Sequence, residues 1–278
     1  MSTIAQTPAP SLAARLRWGL SDTLAFAGRN LEHVRQIPEK LIDVTLQPLM
    51  FVLLFAYVFG GIIDIPDGSY KSYLLGGIIV QTLTFGVMGP GVAIATDLTE
   101  GILDRFRSLP ASRSAYLYGH LLAETAAATL GIVVMTVTGL IVGWRIESDV
   151  LHAVGGFALL LLIAVMMLWI GTLLGLLAAT PDSVQGVVFT VIFPMTFVSS
   201  VFVPIGGLPD GLRQVAEYNP ISALAAGVRT LFGNPTALPA GEPWPLAHPV
   251  TSSLLWCLAT LAIVVPLAVR RFRARTTG

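Results

Sequence analysis

Six apolar stretches, each near the ~20 residues that a helix needs to cross a bilayer, dominate this chain: Leu41–Ile63, Tyr73–Thr96, Ala115–Val142, Leu151–Thr180, Val184–Val203 and Val250–Val269. In lipid every backbone amide and carbonyl must be satisfied within its own segment, so runs of this length read as helices and the fold class is an all-α membrane protein with six transmembrane helices. The third and fourth runs exceed a bilayer's thickness and are expected to tilt or protrude. Only 12% of the residues are charged, against roughly 25% in an average soluble domain.

The zero net charge hides a sorting by side. With a cytoplasmic N-terminus, 12 basic residues lie inside (Arg15, Arg17, Arg29, Arg35, Lys40, Arg105, Arg107, Arg113, Arg270, Arg271, Arg273 and Arg275) and 4 outside (Lys71, Arg145, Arg213 and Arg229). The positive-inside rule therefore places both termini in the cytoplasm. Residues 270–278 form a basic tail, read equally as an anchor to anionic lipid.

Between the spans the connections differ in character. Residues 1–10 read as a disordered tail, and 11–40 as an interfacial amphipathic helix, with Leu12, Leu16, Leu20 and Leu24 recurring beside Arg15, Arg17 and Trp18. Residues 98–112 form a charged segment whose Ile102, Leu103, Phe106 and Leu109 fall on one helical stripe. Such a helix either docks to something on the cytoplasmic side or rests on the inner leaflet. Gly143–Val150 reads as a short outer loop and Pro181–Gln185 as a short inner turn. Residues 204–249 form a proline-rich outer segment in which Asn219 caps and Pro220 opens a helix that Gly233-Asn234-Pro235 ends. Its apolar content predicts that it dips into the membrane or packs on the bundle.

Several chemistries lack their residues. A phosphate-cradling G-x-x-x-x-G-K-[S/T] loop is absent, and neither lysine, Lys40 or Lys71, stands in such a context. His33, His120, His152 and His248 lack zinc-site spacing, and Cys257 is the only cysteine. The expectation is a chain that is not an enzyme, binds no metal or cofactor directly and has no nucleic-acid partner. No internal repeat of the kind common in secondary transporters is visible.

The runs Gln47–Gly61 and Gly101–Pro110, then Phe197–Pro204, Asn219-Pro220 and Arg229, resemble the permease subunits of the ABC-2 transporter class, above all the daunorubicin-resistance type, over about Ala25 to Arg271. The resemblance implies the ABC-2 exporter fold: six helices, an N-terminal interfacial helix, a cytoplasmic coupling helix and an outer re-entrant segment. It further implies pairing with a second permease chain, as homo- or heterodimer, and a separate ABC ATP-binding subunit that holds ATP and Mg. The 98–112 segment is then the coupling helix, with Glu100, Gly101, Asp104, Arg105, Phe106, Arg107 and Pro110 matching the family motif. The address implied is a bacterial inner membrane, and the cargo a hydrophobic drug or secondary metabolite; lipid, glycolipid or polysaccharide is the alternative.

A substrate path is expected along Gln47, Gln81, Thr84, Phe85, Phe189, Phe193 and Phe197, with Pro48, Thr82, Ser199 and Ser200 as further candidates, where aromatic faces and a few polar groups suit a large amphiphile. The phenylalanines equally fit a lipid-facing or packing surface. Pro90 and Pro194 are expected to bend their spans. His120 and Glu124, four residues apart in the third span, are an intramembrane polar pair; a proton-coupled carrier using them is the rival reading, and a structural or dimer-contact role the other.

Overall fold

A computed structural model describes residues 46, 49–60, 62, 63, 65, 68–101, 113–238 and 241–277. The tail at 1–10, the interfacial helix at 11–40, Gln47, Pro48, and residues 102–112 of the coupling segment with Asp104, Arg105, Phe106, Arg107 and Pro110 lie outside the described residues.

Among the described residues the secondary structure is helical, without strands. α1 is the apolar Leu49–Phe59, its last turn widened to a π-helix over Phe55–Phe59. Then follow α2 (Tyr70–Phe85), α3 (Met88–Thr99), α4 (Arg113–Val142), α5 (Val150–Leu177), α6 (Pro181–Val187), α7 (Phe193–Phe197), α8 (Asp210–Tyr218), α9 (Pro220–Phe232), α10 (Trp244–Ala247) and α11 (Pro249–Thr277). Four helices are long and apolar enough to cross a membrane: α2 with α3, then α4, α5 and α11. α1 and α9 are apolar but shorter.

The break between α2 and α3 falls at Gly86-Val87. Pro90 lacks an N–H and its ring crowds the carbonyl four residues back, that of Gly86, so the ladder is interrupted where the sequence expects a bend. Pro194 acts likewise on Thr190, and residues Val188–Ile192 between α6 and α7 adopt a π-helix.

Two boundaries differ from those read in the sequence. Pro181–Gln185 is not a turn: Thr180 caps, its hydroxyl accepting from Ser183 N–H, and Pro181 opens α6 at its first position. The fifth run does not remain helical to Val203. It leaves the helix at Val198, because the Asn219 amide donates to the Met195 and Val198 carbonyls at 2.7 and 2.6 Å, and satisfied end carbonyls let a helix stop inside apolar surroundings.

α5 is the central helix, packed against α2, α3, α4, α9 and α11. Backbone approach sets the closest of these contacts. A Cβ at Gly171 would lie 2.2 Å from the Val87 carbonyl oxygen, and one at Gly175 2.4 Å from that of Gly91. Small residues four apart thus let α5 lie directly on α3, as membrane helices do where lipid removes the hydrophobic drive. The interior position shows in burial: 61% of the apolar window of α2–α3 and 56% of that of α5 are buried, against 22% for α4 and α11, which face outward.

Candidate functional site

A cavity of about 560 Å³ lies at mid-height of the bundle. Every long helix that lines it does so near its own middle: Gln81 to Gly89 at the α2–α3 break, Glu124 to Met135 in α4, Ala164 and Leu168 in α5. The wall is continued by Phe51 of α1 and by Phe189 and Phe193 beside the π-turn. The α2–α3 break at Gly86-Val87 runs along this space, and α4 presents Ala127, Ala128 and Gly131 to it rather than larger side chains.

Of the path residues expected from sequence, Gln81, Thr82, Phe85, Phe189 and Phe193 meet at this cavity. Phe85 and Phe193 stand edge to face with centroids 6.5 Å apart, within the usual range for aromatic pairs. Thr84, like Ser199 and Ser200, is not among the lining residues: it is fully buried on another face of α2 and donates to the Val80 carbonyl at 2.8 Å. Its neighbour Thr82 lines the wall instead, with its hydroxyl donating to Ile78. Phe197 is not among the lining residues and belongs to a stack of rings that starts and ends at the cavity wall. Phe189 is 6.4 Å from Phe193, Phe193 4.6 Å from Phe197, Phe197 5.1 Å from Phe202, and Phe202 4.5 Å from Phe55. From Phe55 the stack continues to Phe59 at 5.1 Å and to Phe51, itself a lining residue of the cavity, at 6.0 Å.

The two members of the polar pair stand one turn apart on α4. Glu124 lines the cavity and His120 does not. The carboxylate faces the backbone of Gly89, where an added Cβ would stand 3.1 Å from Oε2. Lining residues that sequence reading missed, such as Phe51, Met88 and Leu168, carry no local signal; the small residues Ala126, Ala127, Ala128 and Gly131 are the one signal that was available.

Above the cavity, α9 is buried along nearly its whole length. It begins and ends as its capping residues predict: Asn219 Oδ1 accepts from Ile221 N–H at 2.9 Å, and Gly233 ends the helix in the left-handed region at φ 71°. Its Arg229 is completely buried. The guanidinium donates to the carbonyls of Tyr73 at 2.7 Å and Val201 at 2.9 Å, and lies 3.6 Å from the Tyr73 ring centroid. Tyr73 in turn donates its hydroxyl to the Ser200 carbonyl. The arginine reaches this position only because α2 carries Gly76 and Gly77; a Cβ at the first would meet Arg229 Cγ at 2.9 Å, and at the second Val201 O at 2.2 Å. The loop after α4 is fastened to the same end, with Trp144 Nε1 donating to Asn234 Oδ1 at 2.7 Å and Asn234 Nδ2 to Arg145 O at 2.9 Å.

The wall offers aromatic faces, one amide, one hydroxyl and one carboxylate around a space of the size of small-molecule sites. Among the described residues no group of three or more His, Cys, Asp or Glu stands close enough to hold a metal. At the other end, Glu100 and Gly101 end α3, with Gly101 at φ 67° and no atom near its missing Cβ. That is a left-handed helix terminus.

The sequence profile described as ABC-2 type transporter matches residues 22–232. The chain belongs to the ABC-2 type transporter family. This ABC-2 chain is 29% identical to the daunorubicin resistance ABC transporter permease protein DrrB1 of Streptomyces coeruleorubidus, over 91% of its own length and 87% of the relative's. It is 24% identical to the doxorubicin resistance ABC transporter permease protein DrrB of Mycobacterium tuberculosis, over 78% and 77% of the two chains. It is 22% identical to that organism's probable doxorubicin resistance ABC transporter permease protein DrrC, over 98% and 96%. The family span includes the cavity wall from α1 to α7 and ends with Phe232, at the last residue of α9.

Proposed function

We propose that this chain is the membrane permease of an ATP-driven exporter of hydrophobic drugs or secondary metabolites, one half of a dimeric pathway with six spans per chain. The observation that carries the reading is the mid-height cavity, apolar and aromatic, in a chain whose relatives are named as drug-resistance permeases. Its volume of about 560 Å³ falls in the ~300–1,000 Å³ range of small-molecule sites, which favours a compact amphiphile over a polysaccharide. Dimerisation is supported by Phe189, Phe193 and Phe197, which are 54%, 42% and 44% exposed in the single chain and leave one side of the cavity wall in need of a cover.

On this reading α1 and the α6–α7 unit are the two shorter spans, and α9 dips into the outer leaflet. ATP and Mg belong to a separate ABC ATP-binding subunit, and closure of that subunit acts on the segment 98–112 through Glu100, Gly101, Asp104, Arg105, Phe106, Arg107 and Pro110. The setting is a bacterial inner membrane with both termini cytoplasmic.

The test is reconstitution of the permease with its ATPase in proteoliposomes loaded with a fluorescent amphiphilic drug. Movement that requires ATP and both subunits is the expected result. Movement driven by a proton gradient without the ATPase overturns the reading in favour of a carrier. Phe106→Ala combined with Arg107→Glu is expected to abolish co-purification of the ATPase; unchanged co-purification refutes the docking role.

A further inference from the structure

The cavity is neutral in everything except one group. Phe51, Phe85, Phe189 and Phe193 supply its faces and Gln81 an amide, while Glu124 alone among the described lining residues carries a charge; no Lys, Arg or His stands with it there. The carboxylate is half-buried on α4, and the wall opposite is Gly89, which has no side chain to neutralise it. An ionised carboxylate in such a place carries an unrecovered desolvation cost. The cost is recovered when a positive charge enters the same space, and the π-faces of the surrounding phenylalanines attract that same charge.

We infer that Glu124 is the counter-charge of this cavity and makes it selective for amphiphilic organic monocations, a flat or ring-bearing apolar body with one protonated amine or quaternary centre. The inference rests on the permease reading and adds the charge class of its cargo. An anion of the same shape meets the carboxylate and is rejected. A neutral one fills the aromatic faces but leaves the carboxylate unpaired, and binds more weakly. The bend at Gly86 and the small residues of α4 make room for the body, and Glu124 fixes which end leads.

The deciding measurement uses the full chain, purified and placed in zwitterionic phosphatidylcholine nanodiscs, with tetraphenylphosphonium and tetraphenylborate as isosteric probes of opposite charge. Binding is read by equilibrium dialysis after subtraction of protein-free discs. The expected result is saturable binding of the phosphonium at one site per chain and none of the borate. Glu124→Gln should weaken phosphonium binding on the order of tenfold, while Glu124→Asp retains most of it. Unchanged phosphonium affinity in Glu124→Gln overturns the inference, as does borate binding as tight as that of the phosphonium. If Glu124→Gln fails to fold, the two probes on the unaltered protein still decide. The exporter reading fails separately: Glu124-dependent cation binding without ATP-driven movement sinks that reading alone, and ATP-driven movement of drugs without cation preference sinks only this one.

Discussion

The end of the bundle around α9 and the cavity at its middle are built on opposite rules. Around α9 the three longest buried polar side chains find partners: Arg229 in Tyr73 and Val201, Asn219 in Met195 and Val198, Asn234 in Trp144 and Arg145. In the cavity, Gln81 and Glu124 are turned toward empty space among phenylalanines. Satisfied buried networks rigidify a fold and specify one arrangement. Polar groups left open in an apolar recess are ready for a guest. The lesson is a division of labour: the first region fixes where α2, α7 and α9 stand, so that the second can stay adaptable without the helices drifting.

The contrast is broken most severely at Arg229. Arg229→Ala strands two carbonyls at ~1–3 kcal/mol each and removes the cation from the Tyr73 face, so a loss of about 4 kcal/mol is expected, read as a collapse of the thermal midpoint in detergent. A variant within about 1 kcal/mol of the parent would remove the anchoring role. Next in size is Gly77→Val, which drives a side chain into the Val201 carbonyl and should cost about 3 kcal/mol. Asn219→Ala loses the α9 cap and two carbonyl contacts, for about 2 kcal/mol; Asn219→Asp should restore the cap but not the contacts, which a carboxylate cannot donate.

In the cavity the same kind of change should leave stability nearly intact and alter cargo. Phe193→Ala removes a side chain that is 42% exposed, so its stability cost is expected to be about 1 kcal/mol, while drug affinity falls roughly fivefold through the lost ring contact. Equal losses of stability in Phe193→Ala and Arg229→Ala would erase the distinction between the two regions. Smallest of all, Thr84→Val should change neither cargo nor transport, because Thr84 bonds to its own helix away from the cavity.

Much of this was legible along the chain. The apolar runs fixed the helical class, since lipid leaves the backbone no other way to satisfy itself. Asn219-Pro220 and Gly233 marked α9 because caps are local chemistry. Pro90 and Pro194 marked the two disturbed helices because a missing N–H acts on a carbonyl four residues away. The grouping of Gln81, Phe85, Phe189 and Phe193 was also within reach, since their helices carry them at corresponding heights. What periodicity misread, it misread for tertiary reasons. The fifth run is apolar through Val203, yet its helix ends at Phe197 because Asn219, distant in sequence, takes its last carbonyls. Thr84 and Thr82 look alike in sequence, and only the rotation of α2 decides which one meets the cavity.

The sequence by itself determined that this protein is a bundle of membrane helices, because span length and caps depend on neighbours along the chain, and its match to the ABC-2 profile is likewise a property of the sequence. The tertiary structure alone decided that Glu124 faces a cavity while His120 does not, and that Arg229, counted at first as an outer-face charge, is buried on Tyr73 between glycines. Those outcomes depend on how closely two backbones approach and how each helix is rotated, which are set by contacts between residues far apart in the chain.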